Sequence, residues 1–386
     1  MIAVIGLGKA GLPLASVIAD SGMKVIGVDI DEERCRMIND GINPIPEERG
    51  LDELIEKHGG KNLIATTRYE DARDCDTYIV IVPVFLDENR NADFRILESA
   101  VRSIGRMLDA GDLVVIETTL PPKTTETLVK SWLEEESGMR EFYLAYSPER
   151  IMTGYSISRL KEFPKVVGGV DKESGWRAYE LYRKFIPNIH LVSNARTAEF
   201  IKVIEGCYRD VNIALANELF KLSESLGIDF DEARRFANHE FCHIHEHSTG
   251  VGGHCIPVYP WFLIRMAERV GRFDDVRLLR TAREVNDGMI DLWAKKILLA
   301  CLRTNKKVNE VRICIKGITF RKGVKEIYHS RNLALARTLK EKGLNVYVYD
   351  ELFTPEEIKS LGFEFIYPND ADVVFDPFEL RVDIKC

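Results

Sequence analysis

At 386 residues the chain is too long for one ordinary domain core, and 45% hydrophobic with 30% charged residues is the balance of a globular protein, so two or three domains are expected. A formal net charge of −8 argues against nucleic acid as a partner, while leaving room for a local basic pocket that holds an anionic ligand. No apolar run approaches bilayer length, the first six residues read as a strand rather than a leader, and eight cysteines without a CxxC pair read as reduced thiols; the expectation is a cytoplasmic protein with no membrane partner.

In chain order, residues 2–5 form a short apolar run, followed by glycines and an amphipathic stretch at 12–21. A second apolar run at 24–29 closes on Asp29. Further runs at 78–82, 113–117, 143–146 and 165–167 read as buried strands. Strands alternating with helical patterns predict an α/β fold with a parallel, doubly wound sheet over about residues 1–190. Residues 195–226 then carry an unbroken helical pattern, with Phe200, Val203, Ile204, Val211, Leu215 and Leu219 at spacings of three and four. A helix of that length suits a domain connector and a dimer contact. More helical pattern at 261–300 completes a central region, 191–299. A strand at 312–316, a helix at 332–342 capped by Gly343 and a strand at 346–349 predict a smaller, shortened Rossmann-like domain at 300–386.

Gly6-Leu7-Gly8-Lys9-Ala10-Gly11 lies between the first strand and the first helix. Gly6 permits the tight turn, Gly8 lets backbone approach a pyrophosphate, and Gly11 lets helix and strand pack closely. The helix N-terminus offers N–H groups and a positive dipole end to the phosphates. Asp29, 18 residues beyond Gly11, would accept from the ribose hydroxyls and repel a 2′-phosphate, which favours NAD over NADP.

The second informative stretch is Thr249-Gly250-Val251-Gly252-Gly253-His254-Cys255-Ile256-Pro257. Glycines crowded around a thiol suggest a nucleophile with backbone donors nearby; a buried, packing cysteine is the equal alternative on these residues alone. Here the chain resembles the UDP-glucose/GDP-mannose dehydrogenase family over nearly its whole length. Gly252 to Pro257 is similar to the family's cysteine signature, and four further segments match in order: Glu117 to Pro122, Tyr146-Ser147-Pro148-Glu149-Arg150, Lys202 with Tyr208 to Asn212, and Arg283 to Asp287. The form around His254 and Cys255 looks most like the branch acting on UDP-N-acetylmannosamine.

The resemblance implies two successive hydride transfers to NAD from the C6 alcohol of a UDP-sugar, giving a uronic acid. It implies Cys255 as the nucleophile of a thiohemiacetal and a thioester, Lys202 as a cation facing the oxyanion, Glu149 as the group that manages protons, and Thr119 as a water-positioning hydroxyl. It implies cofactor contacts from Gly6, Gly8, Lys9, Ala10, Gly11, Leu12, Asp29, Arg34, Pro83 and Thr119. Substrate contacts are expected from Glu149, Arg150, Lys202, His254 and Arg321, with Arg209 and Asn212 either touching sugar or phosphate or making helix–helix hydrogen bonds. A homodimer through the long helix is also implied.

Three positions depart from the family pattern. Gly206 stands where the family carries asparagine, Tyr259 where it carries aspartate, and Tyr328 where it carries a phosphate-binding arginine; Lys325, Arg321 and Arg331 are the nearby cations. Two readings follow: an active dehydrogenase with altered substrate or rate (UDP-N-acetylmannosamine, UDP-glucose or UDP-N-acetylglucosamine), or a paralogue that keeps nucleotide and NAD binding without catalysis. Finally, His239, Cys242, His243, His245, His247 and His254 cluster in sequence. On a strand, His243, His245 and His247 would share a face and could bind a metal. The chemistry implied by the resemblance needs none, so no metal is expected, and the imidazoles are instead placed to tune the Cys255 thiolate.

Overall fold

The computed structural model describes residues 1–150 and 154–385, and the chain divides into two compact units, Met1–Val203 and Ile204–Cys386. The first unit runs β1 (Ile2–Ile5), α1 (Gly11–Asp20), β2 (Val25–Val28), α2 (Glu32–Asn39), α3 (Leu51–His58), β3 (Leu63–Thr66) and β4 (Thr77–Val80). A small hairpin of β5 (Phe85–Leu86) and β6 (Ala92–Asp93) precedes α4 (Arg95–Gly105), β7 (Leu113–Ile116), α5 (Lys130–Ser137) and β8 (Tyr143–Tyr146). Then come α6 (Ser156–Glu162), β9 (Lys165–Gly169), α7 (Lys172–Tyr182), β10 (Ile189–Leu191) and the start of α8 (Ala195–Leu226).

Eight strands form one sheet in the order β10-β9-β8-β7-β4-β1-β2-β3. Alternate residues of a strand point to opposite faces. Ile2 and Val4 of β1, with Leu113 and Val115 of β7, enter one apolar cluster; Ala3 and Ile5, with Val114 and Ile116, enter another. Both faces are therefore covered, which explains why these strands read as continuous apolar runs rather than alternating ones. β1 pairs in parallel with β2 on one side and β4 on the other, so the topology reverses beside the glycine turn. The fully parallel expectation is corrected at one place: β9 runs antiparallel to β8 through Ala145–Gly169 and Tyr146–Gly168. α1 is not amphipathic either; it is buried from Gly11 to Ala19 because α3 and α6 cover its outer side.

The second unit contains the rest of α8, α9 (Phe230–Ala237), α10 (Tyr259–Arg269) and α11 (Arg277–Cys301). The single helical stretch expected at 261–300 is two helices, broken around Gly271, whose φ is 71°. Beyond them lie β11 (Arg312–Lys316), α12 (Arg331–Glu341), β12 (Asn345–Tyr349), α13 (Pro355–Ser360), β13 (Glu364–Phe365), β14 (Val373–Asp376) and β15 (Arg381–Ile384). Their sheet has the order β13-β12-β11-β14-β15, parallel except for β15. Trp293 and Ile297 of α11 pack with Ile313, Ile315, Leu335, Leu339 and Phe375 into one core, so the last sheet and α11 are held by a common apolar interior. No described helix is long and apolar enough to cross a membrane.

Candidate active site

In the first unit the glycine turn has the geometry a dinucleotide needs. Gly6 has φ 95°, a conformation L side chains rarely adopt. A Cβ on Gly11 would lie 1.8 Å from the Gly6 carbonyl oxygen, so helix and strand meet only because that position is bare. A Cβ on Gly8 would meet nothing within 4 Å; the bare face opens outward, where a pyrophosphate would lie. No side chain caps the N-terminus of α1, and no acid occupies its first turn, which leaves its N–H groups for an anion. Lys9 pairs with Glu47 at 3.1 Å, Ala10 is the N-cap of α1, and Leu12 is fully buried under the turn.

Asp29 is 8% exposed at the end of β2. It accepts from Leu7 N at 2.7 Å, from Asp31 N at 3.0 Å and from Arg34 at 2.9 Å. Three donors leave acceptor capacity for a ribose hydroxyl, since a carboxylate has about four lone-pair sites. Arg34 is thus tied to the same carboxylate. These residues fit an NAD adenosine half.

Pro83 and Thr119 follow β4 and β7, neighbouring strands of the sheet. The Thr118 hydroxyl donates to Val82 O at 2.8 Å and accepts Val82 N–H at 3.0 Å, which holds the two strand ends side by side. Below them, Glu117 is 1% exposed, paired with Lys165 at 2.7 Å and bonded by the Tyr182 hydroxyl. Burial, with the Glu117 charge second, holds the Tyr182 phenol well above its ordinary range. Glu149 and Arg150 follow β8, both half-buried, and Arg150 donates to Pro164 O at 2.9 Å. Apart from Lys202 on α8, the sequence-predicted residues of this unit therefore follow the carboxyl ends of β1, β2, β4, β7 and β8, the edge where open α/β sheets bind ligands.

Glu199, near the start of α8, was not a candidate on the sequence. It is buried and accepts from Lys123 N at 2.6 Å, Thr125 N at 2.8 Å and the Thr125 hydroxyl at 2.6 Å, capping the segment that follows Thr119 to Pro122. Burial pushes its carboxyl up to about 7 against those three donors. Lys202 lies one turn further on, half-buried.

In the second unit Cys255 lies just before α10. Its carbonyl accepts Val258 N–H and Tyr259 N–H, both at 3.1 Å, so Cys255 opens the turn that leads into that helix. Cys255 is exposed, whereas Cys35, Cys75, Cys207, Cys301 and Cys314 are buried. Burial pushes Cys75 and Cys301 up to about 11 and Cys207 and Cys314 up to about 12. Of these six only Cys255 has the exposure of a nucleophile.

The loop leading to it has no regular structure, and polar groups distant in sequence hold it. Arg283 of α11 donates to Asp210 of α8 at 2.5 Å, and Asn286 donates to the same carboxylate at 2.9 Å. Asn217 donates to Asn286 at 2.9 Å and accepts Ser248 N–H at 2.8 Å. Trp293 donates to Ser248 O at 3.2 Å, and the Thr249 hydroxyl donates to Asn332 at 2.7 Å. All of Asp210, Asn217, Arg283 and Asn286 are 3% exposed or less. Burial raises the Asp210 carboxyl, and Arg283 opposes it. The segments 208–212 and 283–287 were singled out in the sequence; Asn217, seven residues beyond Asp210 on the same helix face among apolar neighbours, was the signal that went unused.

Asn212 holds the same loop: it donates to His243 O at 2.8 Å and accepts His245 N–H at 3.0 Å. Arg209, one turn from it toward Lys202, is exposed. His254 pairs with Glu326 at 2.5 Å, and its ring lies 6.2 Å from that of Tyr328. Arg321 is half-buried after Phe320, whose ring meets Gly253.

The histidines do not form a strand. His243 and His245 lie in irregular backbone with rings 5.3 Å apart, while His247 turns inward and stacks on Phe220 at 3.9 Å. Burial lowers both His245 and His247 below their ordinary value, keeping them neutral. Among the described residues no group of three or more His, Cys, Asp or Glu side chains is placed to hold a metal ion.

Residues 1–186 match the NAD binding domain of the UDP-glucose/GDP-mannose dehydrogenase family, and residues 196–288 match its central domain, so the chain belongs to that family. By class it is an NAD-dependent oxidoreductase of nucleotide sugars. Among individual relatives, it is 38% identical to the UDP-N-acetyl-D-mannosamine dehydrogenase of Methanococcus aeolicus over 358 residues, 90% of this chain and 78% of that one. The solved UDP-D-ManNAc dehydrogenase of Pyrococcus horikoshii superposes with a TM-score of 0.88 at 33% identity, covering 97% of this chain and 88% of that one. A UDP-glucose dehydrogenase from Pyrobaculum islandicum superposes almost as well, with a TM-score of 0.87 at 25% identity and coverage of 97% and 89%. Two sugars on nearly equal backbones mean that the fold alone does not select the substrate.

Proposed function

We propose that this chain oxidises the C6 alcohol of UDP-N-acetylmannosamine to the uronic acid, with Cys255 carrying the substrate carbon between two oxidation steps. The relatives named for that sugar support the substrate. The exposed Cys255 thiol at the start of α10 is the observation that carries the covalent route. NAD, when bound, takes up a hydride in each step; Gly6, Gly8, Lys9, Ala10, Gly11, Leu12, Asp29, Arg34, Pro83 and Thr119 would hold it. The Cys255 thiolate adds to the aldehyde carbon, and the resulting thiohemiacetal keeps that intermediate from escaping. Loss of its C–H hydride and its hydroxyl proton leaves a thioester, which water cleaves to the carboxylate. Lys202 supplies positive charge toward the developing oxyanion. Glu149 takes and returns protons, and Thr119 orients the water. Arg150, Arg209, His254 and Arg321 are proposed substrate contacts, while Asn212 acts by holding the cysteine loop.

We assign the work to three stretches: 1–190 for NAD, 191–299 for the cysteine and subunit pairing, and 300–386 for the nucleotide. A homodimer through α8 is part of this reading. Ile204, Tyr208, Leu215, Leu222 and Leu226 are 39–63% exposed and recur at four and seven along the helix, an apolar stripe that a second copy would cover. Replacing Leu215 and Leu222 by glutamate should halve the mass seen by light scattering; an unchanged mass removes α8 as the interface. The location proposed is the cytoplasm, in keeping with the buried thiols.

The test of activity is NADH formation with UDP-N-acetylmannosamine, UDP-glucose and UDP-N-acetylglucosamine. Two NADH per sugar with the first, and markedly less with the others, is the expected result. A preference for UDP-glucose would overturn the substrate, and no turnover with any of the three would return the chain to a binding role.

A further inference from the structure

Gly206 lies in the interior of α8, where glycine is the least favourable residue after proline. Its cause is local. A Cβ built there would lie 2.4 Å from Tyr259 Cδ2 and 3.2 Å from Tyr259 Cβ and Cγ. The glycine is a notch, and the Tyr259 ring fills it. Tyr259 is 7% exposed and opens α10, with Pro260 immediately behind it to fix the backbone of that first turn. Its N–H donates to the Cys255 carbonyl at 3.1 Å. Cys255 and Tyr259 are therefore the two ends of one hydrogen-bonded turn. On its other side the loop is limited as closely: a Cβ on Gly252 would come 2.9 Å from Phe320 Cβ, and one on Gly253 would come 3.0 Å from Phe320 Cε2. The cysteine turn thus ends on a ring seated in α8 and is preceded by glycines packed against Phe320.

We propose that Tyr259 is a positioning residue for Cys255: its ring, seated in the Gly206 notch, sets how deep the first turn of α10 lies against α8, and so where the thiol is presented. The ring carbons that meet the notch, Cβ, Cγ and Cδ2, are the atoms assigned this role. The inference rests on the reading of Cys255 as the nucleophile. It also makes Gly206 and Tyr259 a single coupled feature, so that neither departure from the family pattern has an effect independent of the other.

The experiment is a double-mutant cycle with Gly206→Ala, Tyr259→Ala and the pair, together with Tyr259→Phe. Each is followed by NADH formation, by Tm, and by the pH dependence of Cys255 alkylation with iodoacetamide. On an open helix face Gly206→Ala would raise Tm. Here it is expected to lower Tm and to lower kcat by about tenfold or more, since small displacements of a reacting group cost that much, with the KM for NAD within about twofold. The alkylation midpoint should shift in Gly206→Ala and Tyr259→Ala and stay in place in Tyr259→Phe, which should keep kcat within about twofold. In the Tyr259→Ala background, adding Gly206→Ala should cost little more. A raised Tm with full activity in Gly206→Ala, additive effects in the cycle, or a tenfold loss in Tyr259→Phe would each overturn the proposal. Should Gly206→Ala fail to fold, the two Tyr259 variants and the double variant still decide it. Cys255→Ala separates the two levels: if it remains active, the covalent reading fails; if it is silent while Gly206→Ala is fully active, only the positioning role fails.

Discussion

The two units hold their candidate residues by different means. In the first, the glycine turn, Asp29, Pro83, Thr119 and Glu149 follow strands of one parallel-dominated sheet, and the ladder that forms the sheet also places them. In the second, Cys255 sits on a loop whose position depends on buried polar groups from α8, α11 and α12 that lie up to 83 residues from the loop residues they hold. A cofactor cradle can be built from local geometry, because a dinucleotide asks for backbone N–H groups and bare glycines. A nucleophile asks for one thiol in one place, and an irregular loop reaches that accuracy only when its polar groups are tied to something rigid.

Removing the thiol is the sharpest way to separate the regions. Cys255→Ala should lower NADH formation by roughly 10³-fold or more while leaving NAD binding, followed by fluorescence titration, unchanged. Equal loss of both would mean that the cysteine loop also supports the cofactor site. Next in size is the anchor. Arg283→Ala leaves the buried Asp210 carboxyl without its cationic partner and with only Asn286 donating to it, and should cost about 3–5 kcal/mol of unfolding free energy in a urea titration. A loss below about 1 kcal/mol, the value of an exposed pair, would show that the network does not hold the loop.

The glycines offer a test within the first unit. Gly11→Ala drives a methyl into the Gly6 carbonyl and should cost about 3 kcal/mol or more. Gly8→Ala meets open space, so Tm should hold while the Kd for NAD rises. Unchanged NAD affinity in Gly8→Ala would move the pyrophosphate away from this turn.

The smallest expected effect is one of pH. Because burial raises the Glu199 carboxyl to about 7 from an ordinary 4.5, the folded state binds more protons than the unfolded state between those values. Stability from this group is therefore present at low pH and falls as pH rises toward 7, by up to about 3 kcal/mol. Glu199→Gln should flatten that stretch of the stability-against-pH curve, and an unaltered slope would assign it to other groups.

Much of the first unit was legible in the sequence because its signals are short-range. The glycine spacing, the apolar strands and Asp29 need only neighbouring residues to be read. The 32-residue α8 was legible for the same reason: a 3.6-residue period repeated without proline. The second unit was less so. The segment 239–254 reads as alternating histidines, yet His247 packs inward on Phe220 while Asn212 accepts His245 N–H and Asn217 accepts Ser248 N–H. Nothing local announces that Asp210 will meet Arg283, 73 residues away.

By itself, the sequence determined the cofactor turn, the long helix and the identity of the one cysteine set among glycines, since each depends on backbone freedom or periodicity that a residue carries wherever it goes. Tertiary structure alone decided that β9 would run antiparallel, that His247 would turn inward while His243 and His245 stay in irregular backbone, and that Gly206 would be a notch for Tyr259. Those outcomes depend on which surfaces meet after the chain closes. A helix period does not report what will lie against a given face, and a glycine does not report which ring it is bare for.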